Sequence, residues 1–233
     1  KYLLPWVTGK EVLHEIINSL YFQGNIDFVL LMLNKRELYF KDKIQECIDK
    51  QINSKLSFIG DTNGQSQTSY IAAQELIDLG LSNKPFLIHN SDTILKYRDI
   101  SALSNFPTSE PNLMGIVDTF QSNNKNYSYV LEKDGKLETF LEKSVVSPNA
   151  STGLISFRSP REFINLYNIF NSSNSQANET SEAYLSKMVN KIIGDDFYFR
   201  VNHNDERNKT IVLGTPEEYC LGYTLNATGL LGA

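Results

Sequence analysis

The chain has 233 residues, 41% of them hydrophobic and 11% aromatic, which is enough for one large packed domain or two small ones. A formal net charge of −5 and a pI near 5.3, without any Lys/Arg block, leave nothing to draw the protein to a phosphate backbone, so nucleic acid is not an expected partner. Cys47 and Cys220 form no C-x-x-C and no His/Cys cluster, which argues against a zinc site or a disulfide framework, and the longest apolar run, 28–33, falls far short of the ~20 residues of a membrane span. The expectation is a cytoplasmic globular protein with free thiols and no membrane span.

Thr8 followed by Glu11 reads as a capping box, and Val12, Leu13, Ile16, Ile17 and Leu20 recur behind it at helical spacing, predicting a helix from about Gly9. Gly24-Asn25 ends it. The nearly unbroken apolar run from Ile26 to Leu33 suits a strand covered on both faces, hence a parallel sheet. Arg36 to Gln51 is spaced as a surface helix through Leu38, Phe40, Ile44 and Ile48, followed by a short strand, Leu56 to Ile59. After the loop Gly60 to Gly64, Gln65 to Leu79 reads as a helix, and Pro85 to His89 as a strand whose polar tip ends in Asp92. This alternation predicts an α/β, doubly wound layer structure.

The second half is richer in strands: Leu113 to Thr119, Tyr127 to Leu131, Leu137 to Leu141 and Gly153 to Phe157, with a hairpin turn at Lys133-Asp134-Gly135. Ser159-Pro160-Arg161-Glu162 combines an N-cap, Pro at the first helical position and a capping-box Glu, and opens a helix whose core face carries Phe163, Ile164, Tyr167 and Phe170. A Ser/Asn-rich loop, Asn171 to Asn178, leads to a helix over Glu182 to Ile193 and to late strands at Phe197 to Val201 and Thr210 to Leu213. Thr215-Pro216-Glu217-Glu218 repeats the helix-opening grammar. His14, off the apolar stripe of the first helix, and His203, in a charged turn, are expected to be solvated.

Three polar clusters follow predicted strands, where an open α/β sheet collects its ligands: Asp61 to Thr68, His89 to Thr93, and Glu142 to Gly153. Taken alone, each has an ordinary explanation. Asp92 is a turn aspartate, Asp61 to Thr68 a polar loop with helix caps, and Glu142-Lys143 a surface pair. In a site, Gly64 admits close backbone approach, and Gln65 to Thr68 sit at a helix N-terminus suited to an anion or a base edge.

The order of the pieces changes the reading. Lys1-Tyr-Leu-Leu-Pro5 with Gly9-Lys10, Asp27 before an apolar strand, Gly64-x-x-x-Thr68, Ser91-Asp92-Thr93, Glu142-Lys143 with Ala150-Ser-Thr-Gly153, Glu179 and Tyr184, and Gly214-Thr-Pro-Glu217 together resemble the sugar-phosphate nucleotidyltransferase family, from Lys1 to about Tyr223. The resemblance implies a three-layer α/β/α fold with a mixed, mostly parallel sheet in one domain, 1–223, followed by a tail, 224–233. It also implies Mg²⁺-dependent transfer of a nucleotidyl group from an NTP to a sugar 1-phosphate, releasing pyrophosphate, in the service of capsule or other surface polysaccharide synthesis, with homo-oligomers possible.

Carried over by position, Lys1, Asp92 and Lys143 are catalytic, and Asp92 binds the metal. Gly64, Gln65, Thr68, Asn90 and Ser91 meet the nucleotide, and Glu142, Gly153 and Glu179 the sugar. Two departures accompany the resemblance. The family's strand and Gly-rich phosphate loop with its Arg should stand immediately before Lys1, and upstream residues are expected to supply them, because that strand would be central in the sheet. The second metal aspartate of the family falls on Val212, which leaves Asp205, Glu217 or substrate phosphates to complete the metal. A non-catalytic nucleotide-sugar-binding or assembly domain is the alternative that Val212 favours. A metal-dependent glycosyltransferase would want Asp-x-Asp, where this chain has Asn90-Ser91-Asp92.

Overall fold

The structure, a computed structural model, describes residues 1–21, 23, 26–174, 183–194, 196–204 and 209–228. Glu179, Asp205 and residues 175–178 of the expected Ser/Asn-rich loop lie outside the described residues, while its first half, 171–174, is helical. The chain forms two compact units: Lys1–Gly60 with Asn90–Ser101 and Asp205–Ala233, and Asp61–His89 with Ala102–Asn204.

In the first unit the opening helix, α1, runs Val12–Tyr21, later than the capping-box expectation. The reason is local: the N–H groups of Val12 and Leu13 donate to the carbonyls of Leu4 and Tyr2 at 2.9 and 2.8 Å, so the upstream backbone caps the helix. Thr8 Oγ1 instead donates to Glu15 at 2.6 Å. Strands β1 (Val29–Asn34) and β2 (Ser54–Ile59) pair in parallel, Val29 opposite Ser54. Between them the predicted long surface helix divides into a 3-10 segment, Lys35–Phe40, and a short helix, α2, Lys41–Glu46. Asn34 and Glu37 form a reciprocal capping box that starts a new element at the strand end.

Helix α1 buries residues on two sides. Leu13 and Ile17 pack with Leu33, Ile44, Cys47, Ile48 and Ile52, while Val12 and Ile16 pack with Trp6, Ile94, Ile211 and Leu213. His14 is half-buried and not solvated: one ring nitrogen lies 3.0 Å from the Cys47 carbonyl and the other 2.8 Å from Asn18.

In the second unit, α3 (Gln65–Asp78) and β3 (Phe86–Ile88) follow the predicted pattern. A short strand that the sequence did not announce, β4 (Thr93–Leu95), belongs to the first unit, as does the first half of the one-turn helix α4 (Ile100–Leu103). The second unit continues with β5 (Leu113–Gln121), β6 (Tyr129–Lys133), β7 (Lys136–Leu141) and β8 (Asn149–Phe157). Helices α5 (Pro160–Asn174) and α6 (Leu185–Ile192) and strand β9 (Tyr198–His203) complete it. In the first unit β10 (Thr210–Val212) pairs antiparallel with β4, and α7 (Pro216–Ala227) closes the described chain.

The large sheet has the order β7-β6-β8-β5-β9, with β3 also pairing β8. Strands β5 and β9 are parallel, and β8 runs antiparallel to β5, β6 and β3. Its core is aromatic: Phe157 meets Phe163 and Phe199 edge-on at ring-centre distances of 4.7 and 5.6 Å. Small residues Ser66, Ser69, Ala72 and Ala73 let α3 lie close to its neighbours, and Tyr70 stacks on Tyr167 at 4.5 Å. Tyr167 and Phe170 are buried on the core face, as their spacing predicts.

Candidate functional site

Asp92 leaves the turn before β4 with its backbone carbonyl taken by the Leu213 N–H at 2.7 Å, which ties it to the end of β10. Its Oδ2 accepts from Lys1 Nζ at 2.7 Å, and Lys1 Nζ also reaches the Gly214 carbonyl at 3.4 Å. Residues far apart in sequence therefore meet here: Lys1, Asp92 and the Gly214 carbonyl that opens the Gly214-Thr215-Pro216 turn. Ser91 lies beside them, in a small depression also lined by Tyr2, Leu213 and Tyr219. The Lys1 and Asp92 side chains are 47% and 27% exposed, so the pair is solvated and worth at most about 1 kcal/mol. Each partner can exchange the other for a phosphate or a cation at small cost.

Tyr2 anchors the Lys1 segment by donating its phenol to Glu37 at 2.6 Å, and burial together with that acceptor pushes the phenol well above its ordinary range. Gly214 runs close to two carboxylates. A Cβ there would stand 3.1 Å from Glu218 Oε2 and 3.7 Å from Asp92 Oδ2. Glu218 Oε2 in turn accepts from the Thr215 N–H at 2.9 Å in the capping box that opens α7. Glu218 is thus the carboxylate that approaches Gly214 beside Asp92, whereas Glu217 is exposed.

Among the described residues no group of three or more His, Cys, Asp or Glu side chains converges as a metal cage. This donor set fits Mg²⁺ held by one carboxylate and completed by ligand phosphates and water, which is how that ion is commonly bound. Asp92 would hold it.

In the second unit, Gly64 has φ 131° and ψ −170°, a conformation closed to other residues, and it sits at the N-cap of α3. Thr68 turns its hydroxyl inward, to Thr62 Oγ1 at 2.8 Å and the Gly64 carbonyl at 3.2 Å, while Gln67 Oε1 accepts from the Asn63 N–H at 2.7 Å. The Ser66 N–H donates to the Ala183 carbonyl at 2.9 Å. The loop is therefore preshaped by its own bonds, with Gln65 at its helix start.

Glu142 and Lys143 follow β7. Lys143 adopts φ 53°, and its N–H donates to the Tyr127 carbonyl at 3.1 Å, which pins the turn. Glu142 Oε2 accepts from Ser128 Oγ and, at 3.0 Å, from Ser186 Oγ. Gly153, at φ 80°, lies on β8 where its register against β5 shifts between Val117 and Thr119. Asp118 fills that irregularity. It is fully buried and accepts from Thr152 Oγ1 at 2.9 Å, Asn202 Nδ2 at 2.8 Å and Asn204 Nδ2 at 2.6 Å. Ser128, Ser186 and Asp118 went unnoticed at the level of sequence. An aspartate inside the apolar run of β5 was the one available signal, since serines carry none.

No family model matches the sequence, and no curated protein matches it. Solved structures do. The nucleoside-diphosphate-sugar pyrophosphorylase from Vibrio cholerae RC9 superposes with a TM-score of 0.74 at 22% identity, covering 96% of this chain and 91% of that one. The inositol-1-phosphate CTP transferase from T. maritima gives 0.70 at 10% identity over 98% and 87%. HddC from Yersinia pseudotuberculosis complexed with GMP-PN gives 0.61 at 17% identity over 96% and 88%. At these identities the likeness establishes the fold: a mixed α/β, Rossmann-like architecture of the nucleotidyltransferase type. Among the described residues no helix is long and apolar enough to cross a membrane.

Proposed function

We propose that this chain is a nucleotidyltransferase that joins an NTP to a sugar 1-phosphate, giving an NDP-sugar and pyrophosphate. The observation that carries the reading is the Lys1–Asp92 pair, a cation and a carboxylate held 2.7 Å apart beside Gly214 in a fold of this type. In the reaction an acceptor phosphate oxygen attacks the α-phosphorus of the NTP as the bond from that phosphorus to the pyrophosphate oxygen breaks. Such a displacement asks for alignment and charge neutralisation more than covalent chemistry. Lys1 neutralises the NTP phosphates, Lys143 holds the acceptor phosphate, and Glu142 and Gly153 hold the sugar, with Glu179 in the same role. Gly64, Gln65, Thr68, Asn90 and Ser91 seat the nucleotide. Asp92 would hold Mg²⁺, whose charge would offset that of the phosphates when it is bound.

On this reading residues 1–223 act as one catalytic domain in the cytoplasm, making an activated sugar for a surface polysaccharide. A binding-only role is favoured by Val212, which cannot ligate Mg²⁺. The discriminating experiment incubates the full-length protein with each NTP and a panel of hexose 1-phosphates, with Mg²⁺ or with EDTA, and measures pyrophosphate. Release that requires NTP, sugar phosphate and Mg²⁺ together supports the enzyme. Calorimetric nucleotide binding without release across the whole panel supports the binding role.

A further inference from the structure

The Glu142 carboxylate is gripped from one side. Its Oε2 accepts from both Ser128 Oγ and Ser186 Oγ, and among the described residues no donor reaches Oε1. Both hydroxyls come from fixed backbone. The Ser128 carbonyl accepts from the Ser151 N–H at 2.8 Å, and the next residue, Tyr129, is fully buried with its phenol on the Asn124 carbonyl at 2.9 Å. Ser186 is 3% exposed in the first turn of α6. That turn is tied down just upstream, where Ala183 donates to the Asn63 carbonyl at 2.8 Å and accepts from the Ser66 N–H at 2.9 Å. Neither serine can follow a carboxylate that swings away.

A carboxylate offers about four lone-pair sites, two on each oxygen, and the serines occupy both on Oε2. We infer that Ser128 and Ser186 are positioning residues that saturate Glu142 Oε2 and fix the plane of the carboxylate, so that Glu142 meets the sugar's hydroxyls through Oε1 alone. A free carboxylate would instead straddle a vicinal diol with both oxygens. The inference rests on the proposed role of Glu142 in holding the acceptor.

The test compares wild type with Ser128→Ala, Ser186→Ala, the double variant and Ser128→Thr. The acceptor is whichever of glucose, galactose, mannose and N-acetylglucosamine 1-phosphates turns over fastest. The expected result is an acceptor KM raised about tenfold by each Ala change, the size of one hydrogen bond to a charged group. The NTP KM should stay within about twofold, since that subsite is untouched, and Ser128→Thr, which keeps the hydroxyl, should restore the acceptor KM. An unchanged acceptor KM in the double variant, or Ser128→Thr as impaired as Ser128→Ala, overturns the inference. A crystal structure of the double variant gives a readout independent of turnover. Glu142 should leave its position or split between positions, and a single unmoved carboxylate overturns the clamp. If wild type turns over no sugar phosphate, the proposed reaction fails while the crystallographic result still decides the clamp; if the double variant does not fold, the two single variants carry the same comparison.

Discussion

Gly115→Ala should cripple the sheet that carries Gly153. Gly115 sits in the first half of β5, opposite Phe157 on β8 and Phe199 on β9. A Cβ there would lie 2.3 Å from Phe199 Cε1 and 2.5 Å from the Ser156 carbonyl oxygen. Carbon atoms are comfortable at about 3.5–4.0 Å, so the new methyl intrudes by about 1 Å on both sides. The Ser156 carbonyl is backbone in a paired strand and cannot step aside. Phe199 is fully buried, with its ring edge-on to Phe157, so it can give way only by moving other core side chains. Overpacking of this kind costs about 3 kcal/mol, the upper end of the usual range. For a chain of this size that lowers Tm by roughly 6–12 °C. Urea and thermal unfolding followed by circular dichroism measure both quantities. Gly60→Ala is the internal control, because a Cβ there meets nothing within 4 Å and stability should move by less than about 0.5 kcal/mol. A Gly115→Ala protein as stable as wild type would refute the packing described for β5, β8 and β9.

The two thiols should behave differently. Burial pushes the Cys47 thiol up to about 11, whereas Cys220 is exposed, so Ellman's reagent at pH 8 should titrate one thiol in the native protein and both after denaturation. Two fast-reacting native thiols would contradict the core around Ile44 and Ile48. Hydrogen bonds from the Tyr198 phenol and the Arg200 guanidinium hold the Glu110 carboxyl below its ordinary range. A depressed folded pKa stabilises above the unfolded value, about 4.3, and that contribution disappears as pH falls through the folded one. Glu110→Gln should therefore flatten the acid limb of the stability profile below about pH 4.3, and an unaltered limb would rule the linkage out. Removing the α7 cap with Thr215→Ala, which deletes the acceptor of the Glu218 N–H, should cost about 1 kcal/mol in urea unfolding, while Thr215→Ser keeps most of it.

The elements read most accurately from sequence are those whose signals are local. Helix α3 starts at Gln65 after Gly64, and α5 and α7 start at their prolines behind a Ser or Thr cap, because caps are decided by three or four neighbouring residues. Strand β4 was missed for the opposite reason. Three residues beside a polar tip become a strand only because Thr210–Val212, distant in sequence, pairs with them. Thr8 shows the limit of a local rule: its hydroxyl goes to Glu15, and the carbonyls of Tyr2 and Leu4 take the first N–H groups of α1 instead. The same division runs through the site. Asp92, and Glu142 with Lys143, stood out as charged residues after predicted strands, whereas the approach of Lys1 to Asp92 joins the two ends of a long sequence separation and has no local signal. Ser128 and Ser186 have none either, because a serine hydroxyl gains meaning only from the carboxylate that tertiary structure brings to it.

The central claim is nucleotidyl transfer organised around Asp92. It is tested most directly by pyrophosphate release from the full-length protein with Mg²⁺, an NTP and a hexose 1-phosphate, measured alongside Asp92→Ala with its fold checked by circular dichroism. Wild type should release pyrophosphate only with all three components present, and Asp92→Ala should release none. Release that survives in Asp92→Ala would contradict the claim.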